Sequence, residues 1–128
     1  MIRNVLVTGG AGYIGSKITS DLISKNYNVI IIDNLSTGFK RLINKKAIFY
    51  KKNISDRKFL KKTLIKYNIN TIIHCAASLD VSESEKFPKK YYQNNVYNTE
   101  SLLKSLKDTA VKFFLFSSTC AVYGNNKK

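Results

Sequence analysis

Ten residues near the start of the chain, VTGGAGYIGS at 7–16, carry glycine at positions 9, 10, 12 and 15. They spell Gly10-x-Gly12-x-x-Gly15 and, one step earlier, Thr8-Gly9-x-x-Gly12-x-x-Gly15. Glycines in such a run allow a tight turn and let backbone N–H groups come close to an anion. Where the run opens a helix, those N–H groups also carry the positive end of the helix dipole. The chemistry this suits is the holding of a pyrophosphate. Asp33 follows 18 residues after Gly15, where a carboxylate can accept hydrogen bonds from ribose hydroxyls. The same carboxylate would repel a 2′-phosphate, so NAD is expected over NADP. Lys40 and Arg41, seven and eight residues further on, are the nearest groups that could bind such a phosphate. The plain alternative for Asp33 is an aspartate that ends a strand in a turn.

At the other end, Ser117, Ser118 and Thr119 place three hydroxyls directly after an apolar run. His74, the one histidine, ends another such run and suits a hydrogen-bonded structural residue better than a ligand or catalyst. Cys75 and Cys120 lie 45 positions apart without metal-ligand spacing, and read as small buried fillers on neighbouring strands. The adjacent Tyr91 and Tyr92 read as helix packing rather than a stacking platform for bases.

A glycine loop holds phosphate only between a strand and a helix. Apolar runs recur at 4–8, 29–33, 47–50, 71–76 and 113–117. They are nearly continuous in hydrophobicity, as strands buried on both faces should be. Between them, 13–25 places Ile14, Ile18, Leu22 and Ile23 on one helical face. In 56–67, Asp56 serves as N-cap to Phe59, Leu60, Leu64 and Tyr67. A third helix is expected from near Pro88 towards Lys107, whereas 34–46 reads as loop with at most a short helix. Strand–helix alternation implies a parallel sheet. The expected fold is therefore a doubly wound Rossmann-type α/β domain over residues 1–128, with about five strands.

With 128 residues, 44% hydrophobic and 23% charged, the chain suits one globular domain rather than a disordered segment. No apolar run approaches the roughly 20 residues of a membrane span, and MIRNVLVTGG does not read as a secretory leader; the cytoplasm is the expected compartment. The net charge of +14 comes from 19 Lys and 3 Arg scattered along the chain. A solvated lysine surface explains it most simply. A field that attracts anionic nucleotides and a nucleic-acid-associated module remain the other readings.

VTGGAGYIGS followed by DNLSTG at 33–38 resembles the extended short-chain dehydrogenase/reductases, and within them the UDP-glucose 4-epimerase branch. HCAAS at 74–78 with VSES at 81–84, YYQNNVYNT at 91–99 and FSSTCAVYG at 116–124 agree with it. The resemblance spans essentially the whole chain but only the cofactor-binding first part of the family's length. It implies NAD as cofactor, a UDP-sugar as substrate and a homodimer for the full-length protein, with no specific nucleic acid and no membrane. Other nucleotide-sugar epimerases and dehydratases of the same superfamily, and a non-catalytic NAD sensor, stay open.

Position by position, the resemblance puts Gly9, Gly12, Tyr13, Ile14 and Gly15 against the pyrophosphate. It puts Asp33, Asn34, Leu35, Ser36, Thr37 and Gly38 around the adenosine ribose, and Asn53 and Ile54 beside adenine. Cys75, Ala76 and Ala77 would line the dinucleotide, with Asn95 contributing from the next helix. Thr119 stands where the family hydrogen-bonds the sugar's reacting hydroxyl. Two residues depart from the pattern. Asn53 replaces the usual aspartate, leaving an amide that can still accept from the adenine amino group, and Leu79 falls where many members carry lysine.

In the family, a tyrosine four residues before a lysine acts as general base while bound NAD takes a hydride from sugar C4 and returns it to the other face. Tyr13 with Lys17 and Tyr123 with Lys127 have that spacing, but the first sits in the pyrophosphate loop and the second only four residues after Thr119. The catalytic pair is therefore expected outside this chain, with the fold truncated before its substrate-binding part and the chain alone inactive. The fifth strand is then expected to be an apolar sheet edge prone to self-association.

Overall fold

The computed structural model describes residues 4–124, without the side chains of Cys120 and Ala121. Five strands form one parallel sheet: β1 Asn4–Thr8, β2 Asn28–Asp33, β3 Ile48–Lys51, β4 Thr71–His74 and β5 Phe113–Phe116. Their order is β3-β2-β1-β4-β5, with every neighbouring pair parallel. The direction of progression across the sheet reverses between β1 and β4. In open α/β sheets that switch point is where ligands bind, outside the carboxyl ends of the strands.

The nearly continuous apolar runs have a direct cause, since alternate residues of β1 and β2 serve two cores. Val5, Val7, Val29 and Ile31 pack on one face, with Leu22 and Ile23 of α1 (Tyr13–Ser24) against them. Leu6, Ile30 and Ile32 join Ile72 of β4 on the other face. There they meet Leu60 and Leu64 of α2 (Arg57–Lys66) and Leu102 further along the chain. Each side chain so buried contributes about 1.5–3 kcal/mol. Asp56 caps α2 as expected, its Oδ1 accepting from Phe59 N at 3.1 Å.

Two expectations need correction, and one element had no expectation attached to it. Ile14, grouped with Ile18, Leu22 and Ile23 on one helical face, is 51% exposed and lines the cleft, whereas Gly15 and Thr19 are the buried residues of α1, a Cβ on Gly15 meeting the backbone of Gly9 and Gly10. An unexpected short helix, α3, spans Val81–Lys86, with Asp80 Oδ1 accepting from Glu83 N at 2.8 Å. The helix from Pro88 is not uniform: α4 (Pro88–Tyr91) widens into a π-helical turn at Tyr92–Tyr97 and returns to α as α5 (Asn98–Lys104). Backbone angles stay in the right-handed helical region at Tyr91, Tyr92, Tyr97 and Asn98, so the chain winds on without a break. Of the two tyrosines read as packing, Tyr91 donates to Glu83 Oε2 at 2.8 Å, whereas Tyr92 is 62% exposed. The stretch 34–46 is loop with a 3-10 turn at Lys40–Leu42.

Candidate functional site

A cleft of about 290 Å3 runs along the carboxyl ends of all five strands. Gly9 and Gly12 follow β1, Asp33 ends β2, Asn53 follows β3, Cys75 follows β4, and Ser117 with Ser118 follow β5. Backbone bonds extend the strands into these loops: Gly9 N donates to Ile32 O, Cys75 N to Thr8 O, and Ser117 N to His74 O, each at 3.0 Å. The first residue of each of these loops is thus tied into the sheet.

At the floor of the cleft the chain comes too close to itself for side chains. Gly9 has a φ of +71°, and a Cβ there would stand 2.7 Å from both Ala76 N and Cys75 C. A Cβ on Gly15 would run into the carbonyl oxygen of Gly9. Both glycines are therefore required by space, and Gly9 also by its backbone conformation. The cap residue of α1, Gly12, provides no side-chain bond, and the first intrahelical bond is Ser16 N to Gly12 O at 3.0 Å. The amides of Tyr13, Ile14 and Gly15 have no partner inside the helix, all three residues line the cleft, and the first turn holds no acidic residue. This is a cradle for an anion.

Asp33 is 8% exposed, and its orientation is fixed from both sides. Its Oδ2 accepts from Ala11 N at 2.9 Å and its Oδ1 from Leu35 N at 2.8 Å. Each oxygen keeps a lone pair for a further donor in the cleft. Leu35 adopts φ +59°, a conformation that costs a side-chain-bearing residue about 1–2 kcal/mol. That turn lets its N–H reach the carboxylate, while Phe39 N donates to Ala11 O at 2.9 Å and ties the far end of the loop to the glycine turn.

Gly9, Gly12, Tyr13, Ile14, Gly15, Asp33, Asn34, Ser36, Thr37, Gly38, Asn53, Ile54, Cys75, Ala76 and Ala77 all line the cleft. Leu35, Asn95 and Thr119 do not. Leu35 serves Asp33 through its backbone, and Asn95 grips Ser78 in the loop after β4. Thr119 is exposed one residue beyond Ser118. Ile32, Lys52, Asn94, Ser117 and Ser118 line the cleft without having been singled out for it, and Leu79 lines it too. Most of these follow from one rule, that residues just past the carboxyl ends of parallel strands face the ligand.

His74 lies beneath the cleft. Its Nδ1 shares a hydrogen bond with Thr8 Oγ1 at 2.6 Å and its Nε2 one with Thr99 Oγ1 at 3.0 Å, and the rings of Phe114 and Phe116 lie nearby. Burial lowers its pKa to about 4, so it is neutral at pH 7 and holds β1, β4 and α5 together. Burial also pushes the Cys75 thiol up, which keeps it protonated. Of the two Tyr–Lys spacings, Tyr13 is 91% exposed at the start of α1 and Lys17 pairs with Asp21 at 2.9 Å. Lys127 lies outside the described residues, as does the side chain of Cys120.

Residues 5–128 match the sequence model of the NAD dependent epimerase/dehydratase family. The chain belongs to this family. Among its relatives, UDP-glucose 4-epimerase of Lactobacillus helveticus is 44% identical over 124 residues, which are 97% of this chain and 38% of that protein. The crystal structure of UDP-glucose 4-epimerase from Brucella ovis in complex with NAD superposes with a TM-score of 0.91 at 42% identity, covering 98% of this chain and 38% of that one. The enzyme from Stenotrophomonas maltophila, with bound NAD and a formylated UDP-arabinopyranose, gives a TM-score of 0.91 at 34% identity, over 98% and 40% of the two chains. The chain thus spans well under half the length of these family members. Among the described residues, no group of His, Cys, Asp or Glu is placed to hold a metal, and no helix is long and apolar enough to cross a membrane.

Proposed function

We propose that this chain is the NAD-holding part of a nucleotide-sugar epimerase acting on a UDP-sugar, with UDP-glucose 4-epimerase the specific activity. The observation that carries the reading is the join of two features in one cleft: the open amides of α1 and the fixed carboxylate of Asp33. A dinucleotide fits this arrangement. The amides of Tyr13, Ile14 and Gly15 would hold its pyrophosphate, and Asp33 would accept from its adenosine ribose hydroxyls. In this reading adenine would lie towards Asn53 and Ile54 and nicotinamide towards Cys75, Ala76 and Ser117, which agrees with the strand order and the cleft lining. Bound there, NAD would supply a hydride acceptor for a sugar carbon and return the hydride to the opposite face.

The chain's own residues would contribute binding and orientation. Thr119, one residue past the cleft-lining serines, is assigned the hydrogen bond to the reacting hydroxyl. Neither Tyr13 nor Tyr123 is assigned as the base, so the 128-residue chain alone is expected to turn over no UDP-glucose. The full-length protein is assigned to the cytoplasm and to a homodimer, in line with the resemblance, with no specific nucleic-acid partner. Calorimetric titration of the chain with NAD tests the reading. Saturable one-to-one binding is expected, and absence of binding to a folded chain would overturn it.

A further inference from the structure

Away from the cleft, two phenols meet. Tyr50 lies on β3 and Tyr67 is the C-cap residue of α2, and neither lines the cleft. Their hydroxyl oxygens share a hydrogen bond of 2.7 Å, although the residues stand 17 positions apart in the chain. The ring centroids are 6.4 Å apart and the ring planes tilt by 49°. Two phenols joined oxygen to oxygen in a straight line would hold their centroids further apart than this, because each oxygen stands outside its own ring. These rings therefore lean together, and an ortho carbon of each lies beside the other.

The fold holds both partners in place. Tyr50 pairs with Ile32 across the sheet, and its ring packs edge-on against Phe59 with centroids 5.1 Å apart. Tyr67 N donates to Thr63 O at 3.1 Å, and Tyr67 O accepts from Asn4 Nδ2. Both side chains are half-buried, so part of each remains open to solvent. The Lys66 ammonium lies 4.9 Å from the centre of the Tyr67 ring. The hydrogen bond to Tyr50 and the nearby Lys66 ammonium lower the pKa of Tyr67, while the bond to Tyr67 raises that of Tyr50. Tyr67 is thus the phenol that gives up its proton more readily, and a phenol loses an electron more easily as its proton leaves.

We propose that Tyr50 and Tyr67 form an oxidative cross-linking site, at which hydrogen peroxide acting through a haem peroxidase joins an ortho carbon of one ring to an ortho carbon of the other. Each phenol gives one electron to the peroxidase and its hydroxyl proton to water. The two phenoxyl radicals then combine in a single carbon–carbon bond. The hydrogen on each joined carbon moves to the oxygen of its ring and restores both hydroxyls. Two electrons and two protons leave the protein in all, and one hydrogen peroxide takes them up to become two waters. Radicals held in contact couple with each other before either meets a second chain. The product fastens β3, an edge of the sheet, to the end of α2.

The test is treatment of the dilute 128-residue chain with a small haem peroxidase and hydrogen peroxide, read by dityrosine fluorescence and peptide mapping. The expected product is a monomer with the peptides of Tyr50 and Tyr67 joined and two hydrogen atoms lost. Tyr50→Phe keeps the ring and removes its hydroxyl, and is expected to lower the fluorescence of the monomer at least about tenfold. Denaturant, which separates the pair in the unsubstituted chain, is expected to lower the yield of the same link to a similar extent. Coupling that maps only to the more exposed Tyr13, Tyr92 or Tyr97, or only between chains, would overturn the inference. So would a folded chain that forms no dityrosine. A Tyr50–Tyr67 link that forms equally well in denaturant would overturn the part assigned to the folded geometry.

Discussion

Asn95 holds Ser78 by both ends of its side-chain amide: Ser78 N donates to Oδ1 at 2.8 Å, and Nδ2 donates to Ser78 O at 2.9 Å. The side chain acts as a short length of neighbouring strand and pins the loop that carries Cys75, Ala76 and Ala77. Asn94 adds a bond from its Nδ2 to Ser78 Oγ at 3.1 Å. Asn95→Ala should cost about 1–2 kcal/mol of stability and weaken NAD about tenfold, although Asn95 does not line the cleft. Thermal melts with calorimetry check it, and unchanged affinity in the destabilised variant would show that the loop holds its shape unaided.

The chain should bind NAD at least about tenfold more tightly than NADP, because a 2′-phosphate would meet the Asp33 carboxylate. Asp33→Asn should erode that preference mainly by weakening NAD. Equal affinity of the unsubstituted chain for both cofactors would remove Asp33 from the selectivity role.

Gly9→Ala combines a left-handed backbone angle with a Cβ placed 2.7 Å from the backbone of the loop after β4. Destabilisation of about 2 kcal/mol or more is expected, with loss of NAD binding. A variant that melts with the parent protein and binds normally would contradict the close approach of the two loops.

The buried His74 predicts an acid-sensitive fold. Its folded pKa of about 4 lies below the unfolded value of 6.5. As pH falls through 6.5 the unfolded chain gains a proton that the folded chain refuses, so stability is full above about 6.5 and declines towards 4. Between pH 6.5 and 5 the loss should be on the order of 2 kcal/mol. Denaturant midpoints across that window should slope downwards with acid, and His74→Gln should flatten the slope. The same slope in the variant would assign it elsewhere.

If the charge of +14 is a solvated lysine surface, duplex DNA should bind weakly, without sequence preference, and dissociate steeply with salt. A complex that discriminates between sequences at physiological salt would contradict this.

Strands and cleft were legible in the sequence for the same reason. A strand buried on both faces, such as Asn28–Asp33 with its apolar middle Val29–Ile32, reads as a continuous apolar run, and its last residue then stands at the ligand-binding edge. That rule finds Asp33 and, applied more widely, also Lys52 and Ser117. Helix faces were less legible. At Gly15 the loop after β1 comes so close that a small residue is buried, while Ile14 lines the cleft, which inverts the usual meaning of a large apolar side chain. Helix α3 is short, and its signal is the spacing of Asp80 and Glu83 rather than any periodicity. The π-helical turn has no signal of its own, since Tyr92–Tyr97 could equally wind as α.

That wide turn sets the angular phase between two jobs. Upstream of its end, Asn94 and Asn95 reach for Ser78; beyond it, Thr99 reaches His74 and Leu102 fills the core. Deleting the exposed Val96 would let the segment rewind as α-helix while turning one set of side chains by about 100° against the other. The helix could then serve the core or the cleft, but not both. A single residue of extra length is what lets one rod be anchored in the interior and still steer a loop at the surface.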